Sequence, residues 1–452
     1  MLRPSLLRGH SPGRLVPLGI QGFAALEIRR KPKNTLLAYS IFARKSVRHP
    51  VEKITMTGPL EGIEILDASA VLSGPLAARV LADQGAKVIK VEAPGQGDVL
   101  RYVGSVRGGM TATFHMANRG KRSIALNLAE ARGVEILKEL ALRADVFIQN
   151  WRPGVAERLG IGWQKLRALN PRLVYVSISG FGPTGPNSQK RVYDNVVQAY
   201  SGINDVQGNP EIGKPEPVRQ LLCDKLTSIT VAQAISSALF ARERSGVGQH
   251  IEVSMLETAI GFLWTENGNE HALLDEGALP VPPPGKNYSL MKLADGFATA
   301  TPLTDSEFQG LCRALDLKKV AEDPRFATLA GRMQNLSALA DLFRTEFADA
   351  AASLSREEAS ALFDAEDVPA GIVVALADLH KDPQVIANEI LVENEYPRIG
   401  RVREARPTAR FADTPGAIPG PAPDLGEHTD EILEELGLEV ETLSLRDSGV
   451  VA

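Results

Sequence analysis

Asp224 has the type and setting best suited to covalent chemistry, because it stands at the foot of a helical stretch that begins at Lys225. An aspartate there commonly caps the helix by accepting hydrogen bonds from free backbone amides, and that is its bland use. The same amides favour the ionised carboxyl, so it is also a nucleophile that needs no partner base. A second candidate is Asn150-Trp151-Arg152-Pro153-Gly154, which follows a strand-like run. Open α/β sheets bind ligands at that end of a strand. Trp151 could stack a flat ring and Arg152 could meet a phosphate; otherwise the cluster is an exposed loop. Arg119, Lys121, Arg122 and Arg158 read as solvated charges.

Other chemistries lack their residues. The turn from Asp67 to Pro75 has no G-x-G-x-x-G spacing, so NAD binding is not expected, and Glu92 alone is weak evidence for a ribose contact. The turn could still hold a nucleotide-bearing cofactor through backbone amides. His115, His250, His271, His380 and His428 form no metal-binding pattern, and no metal is expected. Neither a G-x-S-x-G elbow nor a phosphate-binding G-x-x-x-x-G-K-[ST] loop occurs.

The elements that must position these residues alternate. Ile63–Asp67, Lys87–Glu92, Ser123–Asn127, Asp145–Gln149 and Leu173–Ser177 read as strands, and Pro75–Ala86 and Ala129–Arg143 as helices. Such alternation predicts a parallel sheet. From Lys225 to Arg242, apolar Leu226, Ile229, Ala232, Ile235 and Leu239 recur at helical spacing, and Gly246 is a plausible stop. The Pro-rich stretch at 281–285 reads as a linker. The expected architecture is α/β: a Rossmann-like large domain with a parallel sheet, plus a smaller α+β domain. Residues 56–280 give the first part of the large domain, 281–375 the small domain, and 376–452 a return ending in a helix from Thr429 to Leu436.

Composition narrows the class. Hydrophobic residues at 44% and charged residues at 23% are globular values. A net charge of -5 argues against a nucleic-acid partner, and no apolar run approaches the ~20 residues of a membrane helix. Cys223 and Cys312 are the two cysteines, too few for a disulfide scaffold, so reducing cytoplasm or an organelle matrix is the natural setting. Residues 1–55 are basic, with Arg29, Arg30, Lys31 and Lys33 among them against only Glu27 and Glu52. Two readings stay open: a mitochondrial transit peptide, or a start placed ahead of Met56.

Several stretches in order resemble the family III CoA-transferases. They are Pro59 to Asp67 with Ser73-Gly74-Pro75, Gly85 to Glu92, Asn118 to Asn127, Asn150 to Gly154, Asn170 to Leu173, Tyr193-Asp194, Gly246 to Gln249 and Leu425 to Thr429. The resemblance implies transfer of coenzyme A from an acyl-CoA to a small carboxylic acid, with Asp224 as the catalytic carboxylate. It puts CoA contacts on Leu72, Ser73, Leu126, Asn127, Asn150, Trp151, Arg152, Arg158, Arg191, Val192, Tyr193 and Asp194. It also implies an interlocked homodimer. The chain departs from formyl-CoA transferase at Ala93 and lacks that enzyme's glycine-rich loop, so oxalate and formate specificity does not carry over. The α-methylacyl-CoA racemases of the same family place a histidine where this chain has Tyr193. A phenol near pKa ~10 is a poor second acid/base group, which favours transfer over racemisation. A non-catalytic CoA-binding protein is the remaining alternative.

Overall fold

The computed structural model describes residues 58–209, 212–278 and 281–452, so the basic amino-terminal segment and its two readings lie outside the described residues. Short apolar runs form β1 (Glu64–Asp67), β2 (Lys87–Glu92), β3 (Arg122–Ala125), β4 (Val146–Gln149), β5 (Val174–Ser179) and β6 (His250–Ser254). They pair in the order β3-β2-β1-β4-β5-β6, every pair parallel. This is the doubly wound order, which reverses between β1 and β4 and opens a crevice at their carboxyl ends. A parallel sheet is covered on both faces, so its strands are rich in apolar residues, and all of β4 is buried.

Six helices matter here: α1 (Ser73–Ala82), α2 (Ala112–Asn118), α3 (Ala131–Arg143), α4 (Asp194–Tyr200), α5 (Leu222–Ser245) and α6 (Met255–Trp264). On one face Ile65, Ile148, Val174 and Val176 pack against Ala77 and Leu81 of α1 and Ile235 and Leu239 of α5. On the other, Leu66, Phe147 and Tyr175 pack against Ile136 and Leu140 of α3, with Ile432 and Leu433 from the chain's end. The α/β expectation is met. Gly246 ends α5 as expected, at φ 74°, with its N–H on the Arg242 carbonyl at 2.8 Å.

The start of α5 differs from the expectation. The helix begins at Leu222, so Asp224 lies within the first turn, and the cap position is Leu221, which offers no side-chain bond. Gln220-Leu221-Leu222 carries no turn-forming residue that would mark this start in the sequence.

A second core lies beyond residue 290. β7 (Met291–Lys292), β8 (Phe297–Ala300) and β9 (Ala370–Ile372) form an antiparallel sheet, and Phe308, Phe326, Phe347 and Phe363 pack within its core. A hairpin of β10 (Leu391–Tyr396) and β11 (Gly400–Ala405) follows. The chain then returns to the parallel sheet, where Val451 bridges Leu126 at the end of β3. Among the described residues, no helix is long and apolar enough to cross a membrane.

Candidate active site

The first turns of α1 and α5 meet at the carboxyl end of β1. Ser228, one turn beyond Asp224, donates its hydroxyl to the Ser73 carbonyl at 2.8 Å and so docks α5 on α1. Asp224 is only 6% exposed. Its backbone N–H donates to Asp194 Oδ2 at 2.9 Å, and Asp194 Oδ1 accepts from Gln198 Nε2 at 2.6 Å. Gln198 also donates to the Gln220 carbonyl at 2.9 Å and accepts from Val218 N–H at 3.0 Å. The strand of chain leading into α5 is thereby strapped to α4.

Burial, and then the Asp194 carboxylate, push the Asp224 carboxyl up to about 7, while the N–H and hydroxyl of the neighbouring Ser73 pull it partly back. The sequence expectation that amides of its own helix keep Asp224 ionised is therefore corrected. The helpful amide is that of Ser73 on α1, not a free amide of its own helix, and burial outweighs it.

The loop joining β1 to α1 is tied at nearly every residue. Asp67 Oδ1 accepts the Ser69 N–H at 3.1 Å, and Asp67 Oδ2 accepts Lys121 Nζ at 2.7 Å. Asn150, on the loop after β4, accepts the Ala70 N–H at 3.0 Å and donates to the Ala70 carbonyl at 2.7 Å. One amide thus stitches together the two loops of the strand-order switch. Gly74 is needed for this packing, since a Cβ there would lie 2.2 Å from Ser69 Oγ.

The other expected residues divide into three groups. Ser73 and Asp194 stand with Asp224, Leu72 packs with Leu100 and Met110 just ahead of Ser73, and Asn150 is joined to their loop through Ala70. Leu126 is a core residue, and the Asn127 amide is taken by the Gly449 carbonyl at 3.2 Å and the Ala129 N–H at 3.1 Å. Trp151 leans on Phe147 in the core beneath the sheet's end, while Val192 is half-buried beside Val197. Tyr193 is exposed. Arg152, Arg158 and Arg191 are exposed and, among the described residues, make no side-chain hydrogen bond or ion pair.

Two charges expected in solvent are buried. Arg119 bonds Asp83 Oδ2 and Glu404 Oε2, both at 2.8 Å, and Lys121 bonds Asp67 Oδ2, the Pro75 carbonyl and Asn118 Oδ1. A buried cation survives only when paired, and these are. Arg122 reaches the partly exposed Glu435. Glu92 is likewise committed, to Arg101 and Ser123. Among the described residues, no group of three or more His, Cys, Asp or Glu could hold a metal.

Comparison with known proteins decides the family. The sequence matches the CoA-transferase family III model over residues 60–429. The chain belongs to this family. It is 33% identical to the human succinyl-CoA:glutarate CoA-transferase over 84% of this chain and 86% of that one. An acyl-CoA transferase of Fusarium pseudograminearum is 31% identical over 100% of this chain and 98% of its own. A CAIB/BAIF family protein from Brucella suis superposes with a TM-score of 0.71 at 32% identity, covering 84% of this chain and all of that one. The chain is a CoA-transferase enzyme of family III.

For this CoA-transferase, residue-by-residue reading missed the scaffold of the site: Gln198, Ser228, Lys90 and Asp98. Only Lys90 left a signal, as a cation inside the apolar run Val88-Ile89-Lys90-Val91.

Proposed function

We propose that the enzyme moves CoA between carboxylic acids through covalent intermediates on Asp224. The Asp224 carboxylate attacks the thioester carbonyl carbon, the C–S bond breaks, and CoA thiolate leaves a mixed anhydride. The thiolate then attacks the Asp224 carbonyl carbon, freeing the donor acid and leaving an aspartyl-CoA thioester. An acceptor carboxylate attacks that thioester and expels the thiolate. The thiolate finally attacks the acceptor's acyl carbon and returns Asp224 as a carboxylate. An anhydride is as activated as a thioester, whereas a serine ester would be a trap.

The observation that carries this reading is a carboxyl buried against the Ser73 N–H and hydroxyl at a helix N-terminus. Burial keeps water from the anhydride, and donors already in place can face the oxyanion that forms at the same carbon. Arg152, Arg158 and Arg191, free of internal acids, suit the phosphates of CoA. A small dicarboxylic acid such as succinate is the proposed donor acid, in keeping with the human relative's named substrates. The proposed assembly is a homodimer, and the proposed setting is cytoplasm, or the mitochondrial matrix if the basic segment is a transit peptide.

Asp224→Ala tests the reading. Turnover should vanish while CoA affinity stays within a few-fold, and mass spectrometry should find an acyl or CoA adduct on the Asp224 peptide of the unaltered enzyme. Normal turnover in the variant would remove the mechanism. Deuterium exchange at the acyl α-carbon without transfer would point to a racemase instead.

A further inference from the structure

Val71 is the one β-branched residue in the left-handed backbone region among the described residues, at φ 68°. Such a residue is strained and persists only where its surroundings over-determine it. Here the constraint is Asp98. Both carboxylate oxygens of Asp98 lie 3.2 Å from the Val71 N–H, and Oδ1 also accepts the Leu100 N–H at 3.0 Å. Asp98 is 3% exposed, and its charge is held by the buried Lys90, whose Nζ stands 3.0 Å from Oδ2. Lys90 in turn donates to the Ser69 carbonyl at 3.0 Å, and the Asp98 N–H is fixed by Glu92 Oε2 at 3.0 Å. A carboxylate from the loop after β2 therefore grips the loop after β1 at a point two residues ahead of Ser73.

We infer that Asp98 is a positioning residue for transfer: by holding the Val71 amide in its strained conformation, it sets the direction in which Ser73 presents its N–H and hydroxyl to Asp224. The inference rests on the Asp224 reading. Asp98 acts through Val71 and Ser73, and the network accounts for a charge buried in a place where a neutral loop would otherwise serve. If Val71 relaxed to an extended conformation, Leu72 and Ser73 would swing with it. The valine side chain packs beside Leu72, Leu100 and Met110, so it has contacts that a glycine would lack. A glycine at position 71 would, however, adopt this backbone without being held.

The experiment follows from that difference. Wild type, Asp98→Asn and Asp98→Asn/Val71→Gly are mixed with acetyl-, succinyl- and glutaryl-CoA and quenched within one turnover. The adduct on the Asp224 peptide is then measured by mass, and kcat and KM are measured with the best thioester. Asp98→Asn should slow adduct formation and kcat 10- to 100-fold with KM changed less than threefold, and the double variant should recover at least tenfold. Adduct at the wild-type rate in Asp98→Asn, a loss confined to KM, or no recovery in the double variant would overturn the inference. Where Asp98→Asn fails to fold, a double variant that folds and forms adduct sustains it, and one that also fails overturns it. A wild-type enzyme that gives no adduct overturns the Asp224 reading and this inference with it, so the two failures differ.

Discussion

At the residue scale, the proposed mechanism asks Asp224 to act as an anion where burial disfavours the anion. Burial pushes its carboxyl up to about 7, well above the ordinary aspartate value of 3.8. Turnover should therefore rise with pH through about 7, as the carboxyl ionises. Stability should run the other way. Between about 4 and about 7 the folded state holds a proton that the unfolded chain has released, so unfolding becomes easier as pH rises across that window, by at most about 4 kcal/mol. Asp224→Asn should flatten this slope and stabilise the protein at pH 8 relative to pH 5, measured by urea unfolding. An unchanged slope would show that Asp224 is not the buried acid. The placement of Asp224 at the foot of a helix was legible, from apolar residues at helical spacing after it. Its ionisation was not, because Ser73 and Asp194 approach it from helices that adjacency in sequence does not reveal.

At the element scale, the site is a consequence of strand order. Reversal between β1 and β4 leaves two loops facing each other, and Asn150 closes the gap by bonding Ala70 on both sides of its amide. The sheet could be read from sequence because a parallel strand buried on both faces holds a continuous apolar run, as in Val146 to Ile148. Charges beneath the loops could not, because Lys121 finds Asp67 across 54 positions of chain. Lys121 spends all three ammonium protons on Asp67, Pro75 and Asn118. Lys121→Met would leave the Asp67 carboxylate buried without that cation, and removing one partner of a buried pair costs about 3–5 kcal/mol. Urea unfolding should show a loss of that order. A loss under about 1 kcal/mol would mean that Lys90 alone can carry Asp67.

At the scale of the whole molecule, the question is what covers the surface around the site. Ile229 and Phe240 on α5 are 63% and 61% exposed, and Phe262 and Trp264 on α6 are 59% and 51% exposed. Side chains of this size left open on neighbouring helices mark an interaction surface. A second copy laid on α5 and α6 would bury these apolar residues. The resemblance implied a homodimer but not which face it uses, because a helix's outward face is defined only once its inward face has packed. Light scattering at micromolar concentration should give about twice the chain mass of 48.6 kDa. Phe262→Asp with Trp264→Asp should shift the protein toward monomer and lower turnover in proportion to the dimer lost. A wild-type monomer with full activity would show that each chain closes its own site, and the exposed face would then need another partner.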